Sequence, residues 1–201
     1  MTRPAPALLA SRATRGPRYT SYPPAPVFTP DFGEAEALEA LAAVSEEEKS
    51  DGVSLYAHIP FCRSLCWYCG CNVKVSRDRD KGRAYLETLL DEAELYRDQL
   101  GISNLKELSL GGGSPNFLAP DSLERLTETL LSLFPKTDDA VLGIELDPRD
   151  TTREQVEALA RLGYRRLSVG VQDFNDEVQQ TINRYQSQED TRELIEHARS
   201  V

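Results

Sequence analysis

The sequence contains no continuous apolar run of the length that a bilayer span or a secretory h-region requires. A soluble, cytoplasmic protein with no membrane partner is the expectation. Excess positive charge is lacking too: 23 Lys and Arg stand against 33 Asp and Glu, a net charge of -10. Phosphate recognition is carried by clustered Lys and Arg, so this balance argues against a nucleic-acid partner. Histidine is reduced to His58 and His197, which leaves little imidazole for a metal site. Cysteine is absent outside one window, where Cys62, Cys66, Cys69 and Cys71 crowd into "AHIPFCRSLCWYCGCN" (Ala57 to Asn72). Structural disulfides at such separations would be strained and would close very short loops. Reduced thiols that hold a metal are the better reading.

Acidic residues are missing from the first thirty positions, where Arg3, Arg12, Arg15 and Arg18 are the only charged side chains before Asp31. A cationic arm of this kind suits a carboxylate-rich ligand. It also reads as an unstructured Ala/Pro-rich tail, which the sequence by itself favours, and it faintly resembles an organelle transit peptide. The expected organisation is an N-terminal arm with a short helix over 1–50 and one domain over 51–201.

Within that domain, strand and helix signals alternate. "VSLYAHI" (53–59), "KELSL" (106–110), "VLGIELD" (141–147) and "RRLSVGVQ" (165–172) read as strands. Helical spacing appears over 85–100, 122–134 and 153–162, and again from about Asp176 and Glu189. The third helix carries Thr152 and Gln155 at capping-box spacing and Gly163 as its stop. Strands separated by helices of this length are βα units and predict an α/β fold with a parallel sheet.

Parallel strands covered on both faces read as unbroken apolar runs, yet each of these strands has one polar parity. Ser54, Tyr56 and His58 share a face, as do Ser109 and Gly111, Glu145 and Asp147, and Ser168, Gly170 and Gln172. The opposite parity is apolar and fit to pack under helices. A parallel sheet curled around a polar interior is a whole or partial (β/α) barrel, here of about four βα units, with its chemistry at the C-terminal strand ends. Cys62 follows the first strand and falls at such an end.

The cysteine spacing is C-x3-C-x2-C-x-C. Structural zinc usually draws two pairs of ligands from separate parts of a chain, whereas one compact loop of thiolates suits an iron–sulfur cluster. If three cysteines ligate a [4Fe-4S] cluster, one iron keeps an open position. Here the sequence resembles the radical S-adenosylmethionine (SAM) enzymes, whose signature is C-x3-C-x2-C after the first barrel strand and whose fourth iron is chelated by the cofactor. Trp67 is expected to shield the cluster, and Tyr68 to shield it or stack on an adenine.

"LSLGGGSPNFL" (108–118) lacks the Lys-Ser/Thr of a phosphate loop and the G-x-G-x-x-G of a dinucleotide loop. In the resembled superfamily such a glycine-rich strand end contacts the methionyl amino group. Glu145 and Asp147 on an inward face require partners. A ribose diol is plausible for Glu145, while a salt bridge or helix cap is preferred for Asp147, beside Pro148 and Arg149. Arg184 alone reads as one half of a surface ion pair, and His58 as a packed, hydrogen-bonded core residue.

"GPRYTSYP" (16–23), the cysteine window, "GGGSPNFL", "IELDPR" and "RRLSVGVQDFNDEVQQTINRYQ" together resemble the oxygen-independent coproporphyrinogen III oxidase family. The resemblance implies cluster ligation by Cys62, Cys66 and Cys69, with Cys71 a nearby non-ligand. It implies a cluster-bound SAM held by Tyr56, Gly112 and Glu145. A second SAM site would be lined by Tyr68, Gly113, Ser114, Gln172 and Arg184. Where the family usually reads Thr-Pro-Thr, this chain has Ser114-Pro115-Asn116.

The implied chemistry is reductive cleavage of SAM to a 5'-deoxyadenosyl radical and oxidative decarboxylation of two propionates of coproporphyrinogen III to vinyls, giving protoporphyrinogen IX. An electron donor and an electron acceptor are implied partners, and a monomer is expected. The family's proteins are longer, so a fragment ending before a fifth strand is expected, with its activity in question. A radical-type haem chaperone and a zinc-binding structural domain are the competing readings.

Overall fold

The computed structural model describes residues 27–101 and 103–201; the four arginines of the arm and "GPRYTSYP" lie outside the described residues. The chain divides into two compact units, Met1–Ala40 and Leu41–Val201. Helix α1 (Glu34–Ala42) begins in the first. The second opens with α2 (Glu46–Asp51), started by a capping box in which Ser45 and Glu48 satisfy each other's backbone N–H.

The βα units follow: β1 (Val53–Ile59), a short pair β2 (Phe61–Cys62) and β3 (Lys74–Val75), then α3 (Arg79–Leu100). Next come β4 (Leu105–Gly112), a 3-10 turn (Pro115–Phe117), α4 (Pro120–Leu133), β5 (Lys136–Leu146) and α5 (Arg153–Leu162). The chain continues through β6 (Arg166–Val169), α6 (Asp176–Ile182) and α7 (Gln188–Ser200). The main sheet is parallel in the order β1-β4-β5-β6. A doubly wound sheet reverses its order at a switch point, whereas this order follows the chain without reversal. The sheet is therefore an arc of a βα barrel.

Register puts like with like across the arc. Ala57, Leu110, Ile144 and Leu167 form one row, and Tyr56, Ser109, Gly143 and Arg166 form a neighbouring row on the opposite face. The apolar rows pack under the helices, where Leu108, Leu110, Leu142 and Ile144 are buried. Helix α4 offers Leu123, Leu126 and Leu130 at helical spacing, and α5 offers Val156 and Leu159. On the polar face Arg166 forms an ion pair with Glu107 and donates to Ser109 Oγ at 3.1 Å.

Helix α5 starts and stops as its sequence predicts, with the Thr152–Gln155 capping box and a left-handed Gly163 at φ 90°. Gln155 does more than cap. Its Nε2 donates to Asn116 O at 2.8 Å and Leu118 O at 2.6 Å, tying α5 to the loop after β4. The fourth strand is shorter than its sequence suggests. It ends at Val169, because Gly170 N turns to Leu146 O at 3.0 Å and Val171 N to Val169 O at 3.0 Å. Gln172 then sits in a left-handed conformation at φ 64°.

Tyr164 is buried between α4 and α5, its hydroxyl 3.0 Å from Thr127 Oγ1, which donates to Leu123 O at 2.8 Å. Burial pushes its pKa from 10.0 up to about 12. The unfolded chain loses this proton first, so between those values the unfolded state binds fewer protons and stability falls as pH rises. Urea titrations across that window should show a loss roughly 2–3 kcal/mol larger for the native sequence than for Tyr164→Phe. Equal losses in the two proteins would contradict this.

Candidate functional site

The site is built on the loops leaving the C-terminal ends of β1, β4, β5 and β6. The cysteine loop is clamped at its base on two sides. Ser76 N donates to Cys62 O at 2.9 Å from the β3 side, and Gly113 N and Ser114 N donate to Ile59 O (2.9 Å) and Phe61 O (2.8 Å) from the glycine side. At its tip, Trp67 N donates to Ile182 O at 3.0 Å and Asn183 Nδ2 to Leu65 O at 2.8 Å. His58 Nε2 pairs with Asn72 O at 2.9 Å, so His58 is hydrogen-bonded as expected but only partly buried.

All four cysteines are unbridged and face one cavity of about 330 Å³. Of the eight residues expected to contact cofactor, Tyr68, Gly112, Gly113, Ser114, Glu145, Gln172 and Arg184 line this cavity together. The eighth, Tyr56, stands beside it: a Cβ on Gly111 would meet Tyr56 Oη at 2.8 Å and Glu145 Oε2 at 2.9 Å. Burial, with the Glu145 carboxylate and Cys71 adding to it, raises the Tyr56 pKa. Trp67 departs from expectation. Its side chain is 69% exposed and is no part of the cavity wall, so it does not shield the thiols.

Two glycines are required by geometry. Gly112 has φ 111°, and its N–H points at Glu145 Oε2, 3.3 Å away. At Gly113 a Cβ would lie 2.7 Å from Phe61 O and 3.0 Å from Cys62 Sγ. The glycine loop thus packs backbone directly against the first cysteine, which any side chain would prevent. Ser114 Oγ lies 3.7 Å from Cys62 Sγ. Burial raises the Cys62 pKa, and the Ser114 contact partly offsets that.

The carboxylates of Glu145, on β5, and Asp147, just past its end, have different surroundings. Glu145 is exposed in the cleft, whereas Asp147 is 7% exposed. Burial would raise the Asp147 pKa, but Arg149 and Arg184 outweigh it and the pKa is lowered. Arg149 Nε donates to Asp147 Oδ1 at 2.9 Å and Arg184 Nη1 to Oδ2 at 3.1 Å. Both guanidiniums also reach Cys66 Sγ, at 3.8 Å and 3.4 Å respectively. Arg184 is therefore not half of a surface ion pair: it is 6% exposed, and its Nη2 also donates to Gly170 O at 2.7 Å. The salt bridge expected for Asp147 is present.

Arg149 and Asn116 are the residues that sequence reasoning did not assign to the site. Asn116 is fully buried and brackets Asp147, accepting from its N–H at 3.0 Å and donating to its carbonyl at 3.2 Å. Its signal was present, a polar residue following the glycines and a proline, but its partner lies 31 positions away. Arg149 likewise could have been suspected from the Asp-Pro-Arg run.

The donor set is all thiol. Four thiols from one compact loop border one cavity, which by ligand chemistry suits an iron–sulfur cluster.

The profile of the Radical SAM superfamily matches residues 56–201. The chain belongs to that superfamily. Among similar proteins are the oxygen-independent coproporphyrinogen III oxidases of Escherichia coli (strain K12) and Pseudomonas aeruginosa, each 41% identical. The matches cover 97% and 92% of this chain but 42% and 41% of those proteins, so the chain spans about two fifths of their length. A solved structure of the Escherichia coli coproporphyrinogen III oxidase, a radical SAM enzyme, superposes with a TM-score of 0.83 at 39% identity. It is matched over 96% of this chain and 42% of that one. Radical SAM membership implies a [4Fe-4S] cluster and SAM, and the cavity's thiols and glycine loop suit both. No helix among the described residues is long and apolar enough to cross a membrane.

Removing the charge of Asp147 leaves the buried Arg184 cation short of a partner, so Asp147→Asn should destabilise the protein by about 3–5 kcal/mol. Asn116→Ala removes neutral hydrogen bonds and should cost less, about 1–3 kcal/mol. Chemical denaturation of both variants checks the order; a larger loss for Asn116→Ala would contradict the reading that charge dominates here.

Proposed function

We propose that this chain carries the cluster- and cofactor-binding portion of an oxygen-independent coproporphyrinogen III oxidase. The observation that carries the reading is the single cavity in which the C-x3-C-x2-C thiols meet the glycine loop, Glu145, Gln172 and Arg184. Cys62, Cys66 and Cys69 would hold the cluster, with Cys71 outside the ligand set. When bound, the cluster and SAM supply one-electron reduction and a carbon radical able to take hydrogen from a propionate side chain of coproporphyrinogen III.

The chain's own residues would bind, orient and exclude. Gly112 gives its backbone to the cofactor that Tyr56 and Glu145 flank, and Glu145 is placed to accept from a ribose diol. Tyr68, Gly113, Ser114, Gln172 and Arg184 would line a second SAM site. Arg184 would border that site with its guanidinium plane already fixed by Asp147 and Gly170. An electron donor and acceptor complete the set of partners, and a monomer in the cytoplasm is the state proposed.

Anaerobic reconstitution with iron and sulfide, followed by visible and EPR spectra with and without SAM, tests this reading. We expect a brown protein whose dithionite-reduced EPR signal changes on adding SAM. Cys66→Ala should lose the chromophore and Cys71→Ala should keep it. A colourless preparation, or a cluster indifferent to SAM, would sink the proposal.

A further inference from the structure

Arg149 lines the cysteine cavity, yet the cofactor reading gives it no task. It lies between β5 and α5, in the run Asp147-Pro148-Arg149. Pro148 fixes the backbone between the two charged residues, and Asp147 Oδ1 accepts from Arg149 N at 3.1 Å, so the guanidinium folds back over the carboxylate. Its Nε donates to Oδ1 at 2.9 Å, its Nη1 to Ser64 Oγ at 3.3 Å and its Nη2 to Cys66 Sγ at 3.8 Å. With 17% of the side chain exposed, the cation is held in one plane with an edge against a thiol.

Neutralising Asp147 does not account for this arrangement. Arg184 already brings a full positive charge to that carboxylate, at 3.1 Å, and is itself buried. Among the described residues Asp147 is the carboxylate that both guanidiniums pair with, and the nearby Asp150 is taken by Arg63. Two cations therefore share one anion, which leaves one positive charge in excess. Both guanidiniums present that excess to the same sulfur, Cys66 Sγ.

We propose that Arg149 is a positioning residue that acts through Cys66: its buried charge and its N–H on the sulfur make a cluster held there easier to reduce by one electron. The inference rests on the radical SAM reading, in which Cys66 is a cluster ligand. Thiolate ligation leaves a [4Fe-4S] cluster net negative, and an added electron increases that negative charge. A fixed cation in a poorly hydrated place stabilises the reduced form more than the oxidised one, and hydrogen bonds to the sulfurs act in the same direction. The external one-electron donor is oxidised by one electron as the cluster is reduced by one; no bond or proton moves. Arg184 contributes alongside, but the cofactor reading also places it at a SAM site, so Arg149 is the residue that separates the two roles.

The test is an anaerobic potentiometric titration of the reconstituted full chain without SAM, read by its visible chromophore and by the EPR signal of the reduced form. Arg149→Gln should lower the equilibrium constant for one-electron reduction about tenfold, equivalent to about 59 mV for a one-electron couple. Arg149→Lys keeps the charge but not the planar fork and should stay within about threefold of the native chain. Ser64→Asp leaves Arg149 in place and sets a carboxylate beside its Nη1, so it should lower the constant by about threefold or more. An unchanged constant in Arg149→Gln would overturn the proposal. So would Arg149→Lys displaced as far as Arg149→Gln, since lost packing rather than lost charge would then be the cause. If Arg149→Gln assembles no cluster, Ser64→Asp decides, and an unchanged constant there overturns the proposal. A native chain that stays colourless sinks the cofactor reading and this inference together. A native cluster that responds to SAM, with a potential that Arg149→Gln does not move, overturns this inference alone.

Discussion

The ionised carboxylate of Asp147 is held where water barely reaches, and the cysteine cavity is arranged around keeping it charged. At 7% exposure an unpaired carboxylate would take up a proton or unfold its surroundings. Two guanidiniums prevent this, and Asn116 fixes the backbone from which the carboxylate projects. Gln155 in turn holds Asn116 O from the first turn of α5. One buried charge thereby links a helix cap, the loop after β4, the end of β5 and the segment after α6. The same guanidiniums touch Cys66, so the position of that thiol is set by residues that follow β5 and α6.

Much of this was legible in the sequence, for a local reason: strand parity and helix spacing are short-range patterns. Alternation along four segments announced a sheet with one polar face, and the Thr152 to Gln155 box and Gly163 marked both ends of α5. What stayed hidden is nonlocal. Arg184 looks like a surface residue because nothing near it in sequence predicts burial; its partners Asp147 and Cys66 lie 37 and 118 positions away. The end of β6 was misread for a related reason. "SVGVQ" keeps its alternation through Gln172, but Gly170 N is captured by Leu146 O and the chain turns.

The cysteine loop and the glycine loop form one unit. Ser114 N and Gly113 N hold Phe61 O and Ile59 O, and the absent Cβ at Gly113 is what lets the two strand ends close to that distance. Neither motif alone specifies a site, since clustered thiols can hold other metals and three glycines can simply turn a chain. Their meaning comes from β1 and β4 being parallel neighbours, which delivers both ends to the same edge of the sheet. Trp67, between Cys66 and Cys69 in sequence, escapes this logic because the loop tip is anchored through its backbone to Ile182 and its ring is left in solvent.

The polar face is divided into two levels that follow different rules. Lower on the sheet, Glu107 and Arg166 neutralise each other across three strands and Ser109 completes the set, so that level has no need of a ligand. At the upper level Glu145 and Asp147, the latter one residue past the end of β5, share a parity but not a fate. Asp147 is saturated by two arginines and a backbone N–H, whereas Glu145 has, among the described residues, one weak backbone donor at Gly112 and an exposed carboxylate. A carboxylate with spare acceptors beside a glycine edge is available to a hydroxyl-bearing ligand; a saturated one is available only as structure. The distinction leaves Glu145 open to the cavity and makes Asp147 part of the wall behind Cys66. It arises from where the arginines fall, since both side chains line the same cavity.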